Sequence, residues 1–189
     1  MKTVRSLLDQ SVFDMLMSGQ PIIIPTDTVY GIVARAADKT AVTKLYGLKD
    51  RRRQPGTMIA ANIDQLHKLG FSYSALHKAD AYWPDALSVI LDAKAVPSYL
   101  KTTLPDLAVR IPNHPELLQL LHITGPLMTT SANPHACTTA TTVGMAKDYF
   151  KNAIPLYVDG GDLSGRPPST IIRIDEDKIT VLRLGAVTI

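Results

Sequence analysis

The chain has a single cysteine, Cys137, so no internal disulfide can form, and no Cys/His grouping carries zinc spacing. Both absences argue for a reducing compartment, with the cytoplasm expected, and against a structural metal. No apolar run approaches the ~18 residues of a membrane-crossing helix; the longest, centred on Ile23 between Pro21 and Pro25, has strand length. The start, Met1-Lys2-Thr3-Val4-Arg5, is basic, but Asp9 and Asp14 interrupt the next ten residues, so no secretory segment is expected and the N-terminus reads as mature. Familiar chemical signatures are missing too. There is no GxxxxGKS/T phosphate loop, no GxGxxG fingerprint, no HExxH pair and no GxSxG elbow. The histidines, His67, His77, His114, His122 and His135, have no ligand-like pairing, and nothing around Cys137 would lower its pKa. Covalent catalysis and a histidine-held metal are both disfavoured.

What is present fits a folded domain. The 189 residues, set against the ~150 of a typical domain, predict one domain over 1–189. Apolar residues at 46% and charged residues at 20% exclude disorder along the whole length. Twenty Lys/Arg against 17 Asp/Glu give a net charge of +3, too mild to establish nucleic-acid binding. The distribution says more: Lys44, Lys49, Arg51, Arg52 and Arg53 are offset only by Asp50 and form one local anion-attracting patch.

Helical spacing of Leu8, Val12, Met15 and Leu16 predicts an amphipathic helix between Ser6 and Gly19, with Gly19 just past its end. The Ile22-Ile23-Ile24 run predicts a buried strand, followed by a loop at Thr26. A helix over 38–49 is capped by Asp38 or Thr40, with Val42, Leu45 and Tyr46 facing inward. Strand 57–61, helices 62–70 and 74–83 and strand 87–91 follow. Next come strand 107–111, then a helix begun by Asn113-His114-Pro115-Glu116, with proline in the first turn and Glu116 placed for a capping box. Leu117, Leu118, Leu120 and Leu121 form its apolar face. Strand 126–130, helix 142–151, strand 156–158 and a hairpin of 169–174 with 179–184 complete the chain. Alternating elements predict an α/β (α+β) fold with a mixed, partly parallel sheet flanked by helices.

Four polar segments follow strand ends or connect elements, where open α/β sheets place ligand clefts. Pro25-Thr26-Asp27-Thr28-Val29-Tyr30-Gly31 brings two hydroxyls and a carboxylate; an ordinary turn, with Asp27 bonding its own backbone, accounts for it equally well. Lys49 and Arg51, two apart in a non-helical stretch, could clamp phosphates, or simply end a basic helix. Thr129-Thr130-Ser131-Ala132-Asn133 ends a strand in small side chains that let a ligand approach, or that cap a turn. Asp159-Gly160-Gly161 through Gly165 to Pro168-Ser169-Thr170 is a glycine-rich turn or a plain surface loop. Arg110 lies between Val109 and Ile111 on an apolar strand, where a buried arginine is costly unless paired with an anion: a ligand contact or a place at the strand's open end would explain it.

In this order, and together with Tyr82-Trp83-Pro84, Val109-Arg110-Ile111-Pro112 and Leu182-Arg183-Leu184-Gly185, these segments resemble the YrdC-like family of threonylcarbamoyl-AMP synthases, from Ile22 to about Gly185. The resemblance implies a twisted mixed sheet around a large, basic, concave cavity. It implies conversion of L-threonine, bicarbonate and ATP to L-threonylcarbamoyl-adenylate and pyrophosphate, with the product handed to a transferase complex that modifies tRNA. It further implies that Thr28, Arg110, Ser131 and Ser169 hold threonine, and that Lys49, Arg51, Asn133, Thr141 and Arg183 hold ATP. It implies, too, that Lys49 and Arg51 are the catalytic cations. Arg52-Arg53-Gln54 separate Lys49-Asp50-Arg51 from Pro55, where many members have proline directly, so the second phosphate contact falls to Arg51 or Arg53. Mg²⁺ would travel with the triphosphate. Direct tRNA contact, a non-catalytic RNA-binding role and a divergent carbamoyl-transfer role stay open as alternatives.

Overall fold

A computed structural model describes residues 1–49, 55–101, 104–175 and 178–189. Its strands are β1 (Lys2–Val4), β2 (Ile22–Pro25), β3 (Tyr30–Arg35), β4 (Thr57–Ile59), β5 (Leu87–Asp92), β6 (Asp106–Arg110), β7 (Leu127–Ser131), β8 (Leu156–Val158), β9 (Thr170–Asp175) and β10 (Lys178–Arg183). Its α-helices are α1 (Gln10–Met17), α2 (Lys39–Gly47), α3 (Ile63–Lys68), α4 (Tyr73–Asp80), α5 (Pro115–Thr124) and α6 (Val143–Phe150). The strands form one sheet in the order β1-β8-β2-β3-β7-β4-β6-β5-β9-β10. Parallel pairs (β1 with β8, β2 with β8, β4 with β6, β5 with β9) and antiparallel ones (β2 with β3, β3 with β7, β4 with β7, β5 with β6, β9 with β10) both occur. The expected mixed sheet is borne out.

The pleat sorts side chains to two faces. On β2 and β3, Ile23, Ile32 and Ala34 pack with Val42 and Leu45 of α2 and Ala146 of α6. Ile22, Ile24 and Val33 turn the other way, onto Val12 and Leu16 of α1 and Leu117, Leu120 and Leu121 of α5. α2 starts where Asp38 accepts the Ala41 N–H at 3.0 Å, and Gly19, with φ of 71°, follows α1 as expected.

Several expectations change. The first helix begins at Gln10, because Asp9 accepts the Ser11 N–H at 2.9 Å and caps it. Leu8 therefore lies before the helix and is exposed, while Leu7 is buried. α5 is capped by His114, whose Nδ1 accepts from Leu117 N–H at 3.3 Å. Glu116 makes no capping box; its carboxylate reaches across to the Leu7 N–H at 3.2 Å. Leu118 is only half-buried. β1 and β3 were not expected: β1 is three residues long, and Tyr30-Gly31 belongs to β3 rather than to the loop after β2. In the β9–β10 hairpin, residues 176 and 177 lie outside the described set.

Leu16 is fully buried between α1 and the sheet. Leu16→Ala is expected to cost about 2–5 kcal/mol, read as a lower urea midpoint with an unchanged slope.

Candidate functional site

Along one face of the sheet the residue type changes within single strands. Val33, Ile59 and Leu127 lie under α1 and α5. Two residues away on the same strands, and so on the same face, stand Gly31, Thr57 and Thr129, which line a cavity of about 470 Å³. Where the helices stop covering the sheet, apolar side chains give way to glycine and small hydroxyls. The neighbouring strands β3, β7, β4, β6, β5, β9 and β10 all contribute to the cavity lining. On β6 the pleat sends Leu107 and Val109 into the core and Asp106, Ala108 and Arg110 to the cavity. On β9 it sends Ile172 inward and Ile171 and Arg173 to the cavity. Among the described residues the lining holds three arginines, Arg110, Arg173 and Arg183, against one carboxylate, Asp106.

Arg110 finds its partner within the protein: its Nη2 lies 2.9 Å from Asp27 Oδ1, and both side chains are almost fully buried. Burial pushes the Asp27 carboxyl above its ordinary value, and the Arg110 charge pulls it back. The guanidinium is lowered by burial and supported by Asp27. Asp27 thus pairs with Arg110. Among the described residues, Arg110 Nε and Thr130 Oγ1 are buried beside the cavity without hydrogen-bond partners.

Thr28 is buried beside Thr26, their hydroxyls 3.0 Å apart. Ser169, also buried, lies 3.0 Å hydroxyl to hydroxyl from Ser88. Arg183 donates from Nε and Nη2 to the Ser169 carbonyl, at 3.1 and 2.7 Å, and from Nη2 to the Ser169 hydroxyl at 3.1 Å. Arg173 pairs with Asp106 at 2.9 Å. Tyr30 donates its hydroxyl to the Gly161 carbonyl at 2.8 Å and accepts the Gly160 N–H at 2.9 Å, fixing the glycine turn. A Cβ on Gly160 would stand 2.5 Å from Pro25 Cβ, so that turn can pack this closely only through glycine.

Thr28, Arg110, Ser131, Ser169 and Arg183 therefore converge on one cavity. Lys49 and Asn133 are not among its lining residues. The buried Lys49 ammonium donates to the Ser131 carbonyl at 2.8 Å, to Asn133 Oδ1 at 2.9 Å and to the Asn133 carbonyl. The Asn133 amide group bonds the Pro134 and Cys137 carbonyls at 3.1 and 2.7 Å. Thr141, outside the lining, accepts the Leu163 N–H on its carbonyl at 2.8 Å. Lys44 turns away to the Gly19 carbonyl at 3.1 Å. Arg51, Arg52 and Arg53 lie outside the described residues. Sequence reasoning missed Ser88, Asp106, Arg173 and the pairing of Asp27. An arginine at Arg173, alternating with Ile172 and Ile174, was the same signal that marked Arg110.

An unfolded chain releases the Asp27 proton near the ordinary carboxyl value of 3.8. The folded protein releases it at higher pH, so between the two values the folded state binds more protons and stability falls as pH rises. Arg110→Met removes the opposing charge and carries that window upward. Its stability deficit is expected to grow as pH rises above about 4, to on the order of 3–5 kcal/mol. Urea midpoints across a pH series check this; a deficit equal at every pH contradicts an ionised Asp27.

A family model described as Sua5/YciO/YrdC, telomere recombination, matches residues 14–185. The chain is 31% identical over 177 residues to a putative threonylcarbamoyl-AMP synthase of Methanocaldococcus jannaschii, covering 92% of this chain and 84% of that one. It is 34% identical over 163 residues to a threonylcarbamoyl-AMP synthase of Pseudoalteromonas translucida, covering 82% and 87%. The crystal structure of P. abyssi Sua5 complexed with L-threonine superposes with a TM-score of 0.84 at 28% identity, over 97% of this chain. This chain spans 56% of that Sua5 chain.

Proposed function

The chain belongs to the Sua5/YciO/YrdC family, and on that premise we propose that it is a threonylcarbamoyl-AMP synthase, forming L-threonylcarbamoyl-adenylate and pyrophosphate from L-threonine, bicarbonate and ATP. The observation that carries this reading is the cavity in which Thr28, Ser131 and Ser169 surround the buried Arg110. A guanidinium has five N–H donors, and Asp27 occupies only one face of this one. Its Nε, buried and without a partner among the described residues, offers an amino-acid carboxylate one charge-assisted bond. Asp27 keeps the guanidinium oriented before substrate arrives, so little ordering is left for binding to impose.

In this reading threonine lies over Arg110, with the hydroxyls of Thr28, Ser131 and Ser169 around it. ATP lies toward Arg183, with Lys49, Asn133, Thr141 and the basic stretch carrying Arg51 and Arg53 as its further holders. Threonine's amine adds to bicarbonate-derived carbon dioxide and gives up a proton. A carbamate oxygen of the product then attacks the α-phosphorus, and the bond to the pyrophosphate oxygen breaks. No protein nucleophile is required. Alignment and cationic neutralisation of the phosphate oxygens supply the rate, with Lys49 and Arg51 as catalytic cations. Lys49, bonded to the Ser131 and Asn133 carbonyls, holds the loop that carries both residues and directs positive charge at its base. Asp27 and Asp106 are each engaged by an arginine, so Mg²⁺ is left to the triphosphate. Among the described residues no helix is long and apolar enough to cross a membrane. The reading puts the protein in the cytoplasm and passes its product to a tRNA threonylcarbamoyl transferase complex.

The purified chain, given ATP, bicarbonate and threonine, is expected to yield the threonylcarbamoyl-adenylate mass, lost when any one reactant is omitted. Ser131→Ala and Lys49→Met are expected to lower its rate by on the order of 10²-fold. Folded protein that releases no pyrophosphate in response to threonine defeats the proposal.

A further inference from the structure

Ser88 lies on β5, fully buried, and is not part of the cavity lining. Among the described residues its hydroxyl has a single hydrogen-bond partner, the hydroxyl of Ser169, at 3.0 Å. Ser169 does line the cavity, and its oxygen already accepts from Arg183 Nη2 at 3.1 Å.

Counting donors and acceptors fixes the proton arrangement. Each hydroxyl has one proton and two lone pairs, and only one proton can lie on the line between the two oxygens. If Ser169 supplied it, the Ser88 proton would be sealed in the core without an acceptor, which is costly. If Ser88 supplies it, the Ser169 oxygen accepts twice, from Ser88 and Arg183, and its own proton is free to point into the open cavity. The second arrangement leaves the Ser88 proton matched and the one remaining donor on the residue that lines the cavity.

We propose that Ser88 is a positioning residue that holds the Ser169 hydroxyl as a hydrogen-bond donor to the cavity, so that this position takes an oxygen acceptor of the amino-acid substrate. The inference rests on the threonine-binding role assigned to Ser169 under the proposed function. The Ser169 carbonyl and hydroxyl also anchor Arg183, expected on the ATP side. Ser88 thus acts through Ser169, at the junction of the two substrates, without touching either.

The test compares Ser88→Ala, Ser88→Cys and Ser88→Thr, measuring product formation against threonine concentration, threonine affinity by calorimetry and thermal transitions. Alanine removes the donor, and cysteine nearly keeps the volume while offering only a weak one. Both are expected to raise the KM for threonine and the threonine dissociation constant about three- to tenfold, with kcat within about twofold. Threonine keeps the hydroxyl and is expected to restore affinity. Unchanged threonine affinity in Ser88→Ala overturns the inference. So does equal loss in all three variants, which marks a packing role. Should Ser88→Thr fail to fold, the alanine and cysteine affinities decide. A parent chain that binds threonine without making product overturns the functional reading alone, and the variants' affinities still decide the role of Ser88. A parent chain that binds no threonine overturns both.

Discussion

A guanidinium and a carboxylate, both stripped of water, set the terms for the rest of this molecule. Arg110 comes from β6 and Asp27 from the turn after β2, and in the sheet β3, β7 and β4 lie between those strands. Moving two such charges out of water costs several kcal/mol each before their attraction is counted, so the pair is poor economy as a stabilising device alone. It ties the β2 turn across the sheet to the cavity floor and leaves part of the guanidinium facing the hollow. The surrounding hydroxyls of Thr28, Thr130, Ser131 and Ser169 make a polar bed around a fixed positive charge.

The hollow exists because the helical cover ends. α1 and α5 shield the face of the sheet over Val33, Ile59 and Leu127, and beyond them the same face carries Gly31, Thr57 and Thr129. Cβ-less Gly31 keeps the β3 end of the hollow open: an added methyl would stand 2.7 Å from Thr129 Oγ1. At the end of β7, Lys49 performs a second kind of work, gathering carbonyls from Ser131 and Asn133 so that the loop after the strand closes over a buried cation.

Much of this was legible in the sequence. The apolar run at Ile22-Ile23-Ile24 carries a local signature and is the buried strand it predicts; the local signal narrowed the α2 cap to Asp38 or Thr40, and it marked Arg110 as a costly buried charge without revealing its partner. What was illegible is non-local. Ser88 looks like an unremarkable strand serine until β5 and β9 pair and bring Ser169 beside it. Glu116 has the spacing for a capping box, yet a backbone N–H distant in sequence, that of Leu7, takes its carboxylate. β3 was hidden because Tyr30 and Gly31 belong both to a loop-like polar motif and to a strand that starts inside it. Leu8 shows the limit of periodicity, since a helical stripe can extend past the residue at which a cap ends the helix.

The far wall of the cavity is built on the last strand of the sheet. β10 is exposed along its whole length and, among the described strands, pairs only with β9. A margin strand of this kind unzips at a lower free energy than the interior ladder. Arg183 rides on that margin, while Arg110 is anchored deep in the centre. The Arg110 end of the hollow is therefore held by the interior ladder, and the Arg183 end by a strand with a single neighbour among the described ones.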